Sequence, residues 1–317
     1  MSNMTIWLGI DVAKDAIDVA YGRAGRVERI IRSAARLPEW AATVPRHACA
    51  VVEATGGYER AVATALWAQG VPVCIVNPRQ VRDFAKATGQ LAKTDRIDAR
   101  VLAHFGEALQ PRITVALAED VQALRAMVDR RRQLVEARTA EKNRRKQAPE
   151  AVIGSIDDHI EWLDKQIDTL DRAIADTIQS QTALCERIAQ LRTAPGCGMI
   201  VAATLRAHLP ELGTLNRKRI AALVGLAPFA RESGTCRGHR VIWGGRAEAR
   251  AMLFLAAQSA ARWDPTLRAF YVRLVEHGKP KKAALAAVAR KLLTAVNAMV
   301  RDQQPWRSPA APQPSCC

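Results

Sequence analysis

Residues 5–12, TIWLGIDV, followed by IDVAYG at 17–22 and RVERIIRS at 26–33, read as three successive strands. The first is almost continuously apolar, as a strand covered on both faces is, and it ends on an acid, Asp11. The AKDA stretch between the first two turns the chain, so the second strand is a hairpin partner and the third continues the meander. Working outward, RLPEWAATV (36–44) reads as a short helix. HACAVVEAT (47–55) is a second buried strand that again ends on an acid, Glu53. GGYERAVATALWAQG (56–70) is an amphipathic helix closed by Gly70, and PVCIVNP (72–78) is a further buried strand. PRQVRDFAKATG (78–89) and TDRIDARVLAHFGE (94–107) are helices, the second capped by Thr94. Three meandering strands followed by alternating helix and strand predict a mixed α/β layered domain over residues 1–110.

The next segment, 111–192, changes character. Ile156, Ile160, Leu163, Ile167, Leu170, Ile174 and Ile178 recur at spacings of three and four, the seam of a coiled coil. An earlier arm carries Val121, Leu124, Val128 and Val135, and its stretch from Arg130 to Lys146 holds eight basic and two acidic residues. Gln147-Ala148-Pro149 breaks the two arms. The segment reads as a helical coiled-coil spacer, folded on itself or paired with another subunit. Its basic face (Arg130, Arg131, Arg132, Arg144, Arg145, Lys146) is either a solvated surface or a track for phosphates.

Residues 193–308 form a third, mostly α-helical region. Gly196 and Gly198 open a helix, a turn that either admits a phosphate to backbone N–H groups or simply links helices. NRKRIAALVGLAPF continues helical to Gly225 and Pro228, FARESGTCRGHRVIWGGR (229–246) is a glycine-rich basic loop or short strand, and 247–262 and 279–301 are helices. The tail, 309–317, is expected to be disordered.

The net charge of +16 is distributed unevenly: +3 in residues 1–110, zero in 111–192 and +13 in 193–317. A one-sided basic domain points to a polyanion, most simply nucleic acid. Arg231, Arg237, Arg240, Arg246, Lys279, Lys281 and Lys282 are its candidate contacts, with the basic spacer face beside them. An aromatic content of 5% argues against a single-strand stacking platform as the main binding mode. Seven scattered cysteines form no CxxC pair, which disfavours a zinc site or disulfide framework and fits a reducing cytoplasm. No signal-peptide pattern and no run of 18 apolar residues is present, so no membrane role is expected.

The chemistry is carried by four acids and one serine. Asp11 and Glu53 end strands that can be neighbours, and Asp95 and Asp98 share one face at a helix start. Four bare carboxylates raise one another's pKa, and a divalent cation relieves the repulsion. Oxygen-only ligands favour Mg²⁺ or Mn²⁺ over zinc, and a pair of such ions about 4 Å apart stabilises both oxygens of a phosphoryl displacement. Ser233 lies in Arg231-Glu232-Ser233-Gly234, where guanidinium groups can neutralise charge developing on a phosphorus centre. His239 is a candidate base or phosphate contact. The GxSxG signature is absent, which disfavours acyl chemistry.

GIDVAK with Asp11, EATGGYE with Glu53, VNPRQVRDFAKATG followed by KTDRIDA with Asp95 and Asp98, then LRTAPGCG, GLAPFARESGTCRG with Ser233, and HGKPKK together resemble the DEDD-type insertion-sequence transposases of the IS110 family. The resemblance covers roughly residues 5–300. It implies an RNase H-like (RuvC-like) first domain with its acids at Asp11, Glu53, Asp95 and Asp98, and Ser233 as nucleophile. It also implies a bacterial, cytoplasmic, nucleoid-associated recombinase. Its partners would be donor and target double-stranded DNA, a structured noncoding guide (bridge) RNA, and further copies of the chain in a dimer or tetramer. Thr235-Cys236 departs from the small polar residues of the family pattern. Two other readings remain at this point: a metal-dependent RuvC-like nuclease or junction resolvase that uses water, and a non-catalytic nucleic-acid binder.

Overall fold

A computed structural model describes residues 6–90, 92, 94–229, 232–233, 236–237 and 241–307, the two pairs between 232 and 237 by backbone alone. The chain divides into two compact units, Met1–Ala116 and Leu117–Cys317.

In the first unit, β1 (Ile6–Val12), β2 (Ala16–Tyr21), β3 (Val27–Ile31), β4 (Ala48–Glu53) and β5 (Val73–Val76) form one sheet in the order β3-β2-β1-β4-β5. The first three are antiparallel, whereas β4 runs parallel to β1 and β5 parallel to β4. The expected mixed sheet, with strands one and four adjacent, is therefore present. Both faces are covered. Leu8, Ile10, Val12, Ile17 and Val19 point to the side of α1 (Arg36–Thr43) and α2 (Glu59–Ala68). Trp7, Cys49, Val51 and Cys74 point to the side of α3 (Pro78–Ala87) and α4 (Asp95–Leu109). The period-2 alternation of a strand sorts these two sets.

In the second unit, α5 (Glu119–Arg145) and α6 (Glu150–Gln179) pack against each other as an antiparallel hairpin. Arg131, Arg138 and Arg145 pair in turn with Asp171, Asp164 and Asp157, steps of seven residues on each helix running in opposite directions. The arms are thus folded on each other. Their surface ion pairs set register more than stability, each worth under about 1 kcal/mol. The expected second arm does not run unbroken to 192: it ends at Ser180, and α7 (Thr182–Arg192) starts anew.

Helices α7, α8 (Met199–His208), α9 (Arg217–Val224), α10 (Ala247–Trp263), α11 (Pro265–Glu276) and α12 (Lys281–Asp302) share one core. Leu124, Val128, Ile174 and Ile178 from the base of the hairpin enter the same core. Gly196 has φ +76, and a Cβ there would lie 2.2 Å from the Ala256 carbonyl oxygen, so close packing on α10 accounts for that glycine without a phosphate. Helix α12 is long and apolar enough to cross a bilayer, but its Ala284, Val288, Leu292, Leu293 and Val296 are buried in this core, as is the polar Asn297. The tail from 308 onward lies outside the described residues.

Candidate active site

Sheet register sets the carboxylates side by side. Asp11 is paired with Asp18 across β1 and β2, and Asp18 with Arg29 across β2 and β3. Asp11 and Glu53 each follow the parallel pair Ile10–Val52 by one residue. One transverse row therefore reads Arg29, Asp18, Asp11, Glu53, and alternation turns it to the face that α4 covers. Asp95 and Asp98 stand in the first turn of α4, where Thr94 accepts a hydrogen bond from the Ile97 N–H (3.3 Å) and the helix start favours negative charge.

What lets α4 lie so close is Gly9. A Cβ at Gly9 would meet the Ala99 carbonyl oxygen at 1.9 Å and the Ala103 nitrogen at 2.2 Å. The same stripe of α4 continues to Gly106, where a Cβ would lie 2.5 Å from the Trp7 ring. Helix and strand thus touch backbone to backbone two residues from Asp11. Gly9→Ala is expected to push α4 off the sheet. Overpacking of this kind costs about 1–3 kcal/mol. Thermal melting should report that loss, and DNA cleavage should fall while DNA affinity holds.

Burial, followed by the charges of Asp98, Asp95, Glu53 and Asp18, pushes the Asp11 carboxyl up to about 6. That is the electrostatic signature of an oxygen-donor cluster short of positive charge. Part of the deficit is met by Arg29. Its Nη1 donates to buried Asp18 (3.2 Å) and to exposed Asp95 (3.4 Å). Burial raises the Asp18 carboxyl, and Arg29 opposes the rise. Among the described residues no three His, Cys, Asp or Glu side chains are gathered tightly enough to hold one ion as they stand. The donor set nevertheless fits a hard divalent cation: all are carboxylates on one face, the other three disfavour charge on Asp11, and Asp95 is drawn aside to a guanidinium. Asp18 and Arg29 were not expected from the sequence. Their pairing depends on register across three strands, and no local motif marks it.

In the second unit, Ser233 lies in β7 (Glu232–Ser233), paired with β8 (Cys236–Arg237). β6 (Pro228–Phe229) pairs with β9 (Val241–Ile242) at the base of the same hairpin. Arg231, Gly234, Thr235, His239 and Arg240 lie outside the described residues, as do the side chains of Ser233 and Arg237.

The neck of this hairpin is rigidly built. Gly225 and Gly245 both have positive φ, and a Cβ on Gly245 would lie 2.3 Å from the Gly225 nitrogen. The Arg246 N–H donates to the Leu223 carbonyl at 3.0 Å. The Arg246 guanidinium forks onto Glu211, 3% exposed, at 2.5 and 2.7 Å, and donates to the His208 carbonyl at 2.7 Å. Arg250 donates to the Gly244 and Val224 carbonyls. Arg246, a candidate nucleic-acid contact, is bound into the fold through Glu211, a partner that sequence reasoning missed because 35 residues separate the two.

Several spacer arginines that are candidate nucleic-acid contacts also carry ion pairs at the surface of the hairpin. Arg131 holds Asp171, Arg145 holds Asp157, Arg132 holds Glu136 and Arg144 holds Glu141. Arg130 donates to Gln133 and Lys146 to Asn143. Lys279, Lys281 and Lys282 are exposed around the start of α12. Glu211→Gln is expected to destabilise the second unit by about 2–3 kcal/mol. This is below the ~3–5 kcal/mol of a fully buried pair, because the arginine side chain keeps 30% exposure. Adding Arg246→Met should restore much of the loss in a melting experiment.

A DEDD transposase family model matches residues 8–149, which include all four acids. A second model, described as Transposase IS116/IS110/IS902 family, matches residues 188–272, which include Ser233. The pilin gene-inverting protein of Moraxella bovis is 31% identical over 266 residues, 81% of each chain.

The chain belongs to the IS110 family of transposases.

Among further relatives, the transposase for insertion sequence element IS1111A of Coxiella burnetii is 22% identical, covering 95% of this chain and 91% of its own. The insertion element IS110 43.6 kDa protein of Streptomyces coelicolor is 29% identical over 50% of this chain and 45% of its own. The transposase is thus an enzyme acting on DNA, in transposition or recombination. A DEDD domain implies an RNase H-like α/β fold, and the mixed five-stranded sheet with α4 across it agrees with that.

Proposed function

We propose that this transposase exchanges DNA strands of an insertion sequence through a covalent phosphoserine intermediate at Ser233, guided by a structured noncoding RNA. The observation that carries the reading is the convergence of Asp11, Glu53, Asp95 and Asp98 on the α4 face of the sheet, with Asp11 pushed up to about 6. These residues would hold Mg²⁺ or Mn²⁺, which polarises the phosphate and stabilises the attacking and leaving oxygens when bound.

Ser233 attacks a DNA phosphorus. An Oγ–P bond forms, the P–O bond to one sugar breaks, that sugar leaves with a hydroxyl, and the serine proton passes to solvent or a neighbouring base. Because the phosphodiester energy is kept in the protein–DNA bond, a sugar hydroxyl of another strand can reverse the step without ATP. Water attack would leave only a cut. The hairpin bearing Ser233 is mounted on the Glu211–Arg246 neck, which supports a role in aiming its hydroxyl. The carboxylates it meets belong to its own chain or to a partner subunit in a dimer or tetramer, and a composite site across subunits is the arrangement we favour. Residues 193–308, with Arg231, Arg237, Arg240, Lys279, Lys281 and Lys282, would hold nucleic-acid backbones. The seven-residue ion-pair ladder supports reading residues 111–192, which follow the RuvC-like domain of residues 1–110 in the chain, as a coiled-coil hairpin whose base shares the core of residues 193–308. Base pairing to the RNA would read sequence while the protein reads shape.

Incubation of the protein with Mg²⁺, the transcribed RNA flanking its gene, and donor and target DNA, followed by a denaturing gel, tests this. Protein-linked DNA and joined products support it. Hydrolysed ends with no linked species would instead establish the nuclease reading, and joined products that form equally without RNA would remove guidance.

A further inference from the structure

Outside the carboxylate row and the serine hairpin, the most exposed large aromatic among the described residues is Trp263. Trp263 closes α10 with 76% of its surface exposed. It borders a groove of ≈ 490 Å³ shared with Arg262 and with the outward face of α11. That face presents Arg268, Val272, Arg273 and Glu276, spaced by four, one and three so that they lie along one side of the helix, all of them exposed. Arg273 is steadied over the Phe270 ring, 5.5 Å from its centroid.

The groove combines an aromatic surface, a short aliphatic wall and three guanidinium groups. An acidic peptide would satisfy the arginines and leave the indole wet. A DNA duplex would offer phosphates but keeps its bases stacked away from the indole. A nucleotide without a pairing partner satisfies both: its base stacks on the indole, and its flanking phosphates meet the arginines. Glu276 repels phosphate at its end of the groove and accepts from an exocyclic amino group of the base. Breaking and rejoining a duplex unpairs nucleotides beside the cut, which supplies such a group from the DNA on which this family acts. We infer that Trp263, with Arg262, Arg268 and Arg273, forms a binding site for one unpaired nucleotide of the DNA substrate. It is a single stacking contact, compatible with the low aromatic content of the chain. The site needs neither Ser233 nor a metal, so its failure and the failure of the phosphoserine reading are separable.

The experiment measures fluorescence anisotropy of a labelled single-stranded DNA of about 12 nucleotides, its duplex, and the RNA of the same sequence, with full-length protein in EDTA at fixed salt. Trp263→Ala is expected to weaken single-stranded DNA binding about tenfold, within the range measured for one base–aromatic stack, and to leave duplex binding unchanged. Stacking does not read the sugar, so the RNA should weaken to a similar degree. Trp263→Phe should retain most of the affinity. Arg268→Gln should weaken single strand and duplex alike and lower the salt dependence. The inference is overturned if Trp263→Ala leaves single-stranded DNA binding intact, if the loss is equal on the duplex, or if it is confined to RNA. A changed sedimentation coefficient of Trp263→Ala would overturn it too, by making this face a contact between copies of the chain.

Discussion

Asp11→Asn is expected to abolish DNA cleavage and, at the same time, to make the metal-free protein more stable. Both effects follow from the carboxylate row. Asp11 is held above its ordinary value because burial and three neighbouring acids disfavour its charge, with Asp18 adding to them. A group whose folded pKa exceeds its unfolded value contributes stability that is complete below the unfolded value and is lost as pH rises through the folded one. For Asp11 that window runs from the ordinary carboxyl value of 3.8 to about 6. In EDTA at pH 7.5 the wild type therefore carries an uncompensated negative charge that asparagine removes. The melting temperature of Asp11→Asn should exceed that of the wild type there, and the gap should close toward pH 4. In Mg²⁺ the order should reverse, since the variant has lost an ion-binding oxygen. Protons compete with the ion for the same carboxyl, so the wild type's apparent Mg²⁺ affinity should weaken as pH falls below about 6. Cleavage should fall by at least the ~10²–10³-fold that one preorganised transition-state contact supplies. A variant with equal melting temperatures at every pH and full activity would remove Asp11 from the site.

Ser233→Ala is the second large effect. Loss of a nucleophile that forms a covalent intermediate should lower strand exchange on the order of 10⁴-fold or more and eliminate protein-linked DNA. The hydroxyl carries no charge, so affinity for DNA and its salt dependence should not change. Thr235→Ala, two residues along the same loop, should keep both the adduct and the exchange. Hydrolysed DNA ends that persist at wild-type levels in Ser233→Ala would show that water is the nucleophile and that Ser233 only shapes the loop.

Much of the fold is legible in the sequence because its determinants are local. The strands of the first unit are short apolar runs bounded by turns, and both strand-end acids, Asp11 and Glu53, sit one residue or less from where the strands stop. Thr94 announces the helix that carries Asp95 and Asp98. The devices that bring these elements together are nonlocal, and they were harder to see. Gly9 reads as one more small residue in an apolar strand until α4 lies against it. Asp18 looks like a polar residue on a hairpin until register places it between Asp11 and Arg29. Helix α11 went unnoticed although it carries a visible signal: Asp264 precedes Pro265 and accepts from the Leu267 N–H at 2.8 Å, an N-cap followed by proline at the first turn. The basic run from Arg130 to Lys146 reads in the sequence either as a solvated face or as a phosphate track, and the acidic arm that follows does not by itself say which bases it meets. Three of its eight bases, Arg131, Arg138 and Arg145, meet acids at matching seven-residue intervals on the other arm, and only the hairpin pairs them.

The most direct test of the central claim is to trap the protein–DNA adduct with wild-type protein, RNA, DNA and Mg²⁺, digest it with trypsin and nuclease, and locate the residual nucleotide by tandem mass spectrometry. The expected result is a nucleotide esterified to the Ser233 hydroxyl within the peptide from Glu232 to Arg237. A nucleotide on any other residue, or complete strand exchange with no linked nucleotide at any time point, would contradict it.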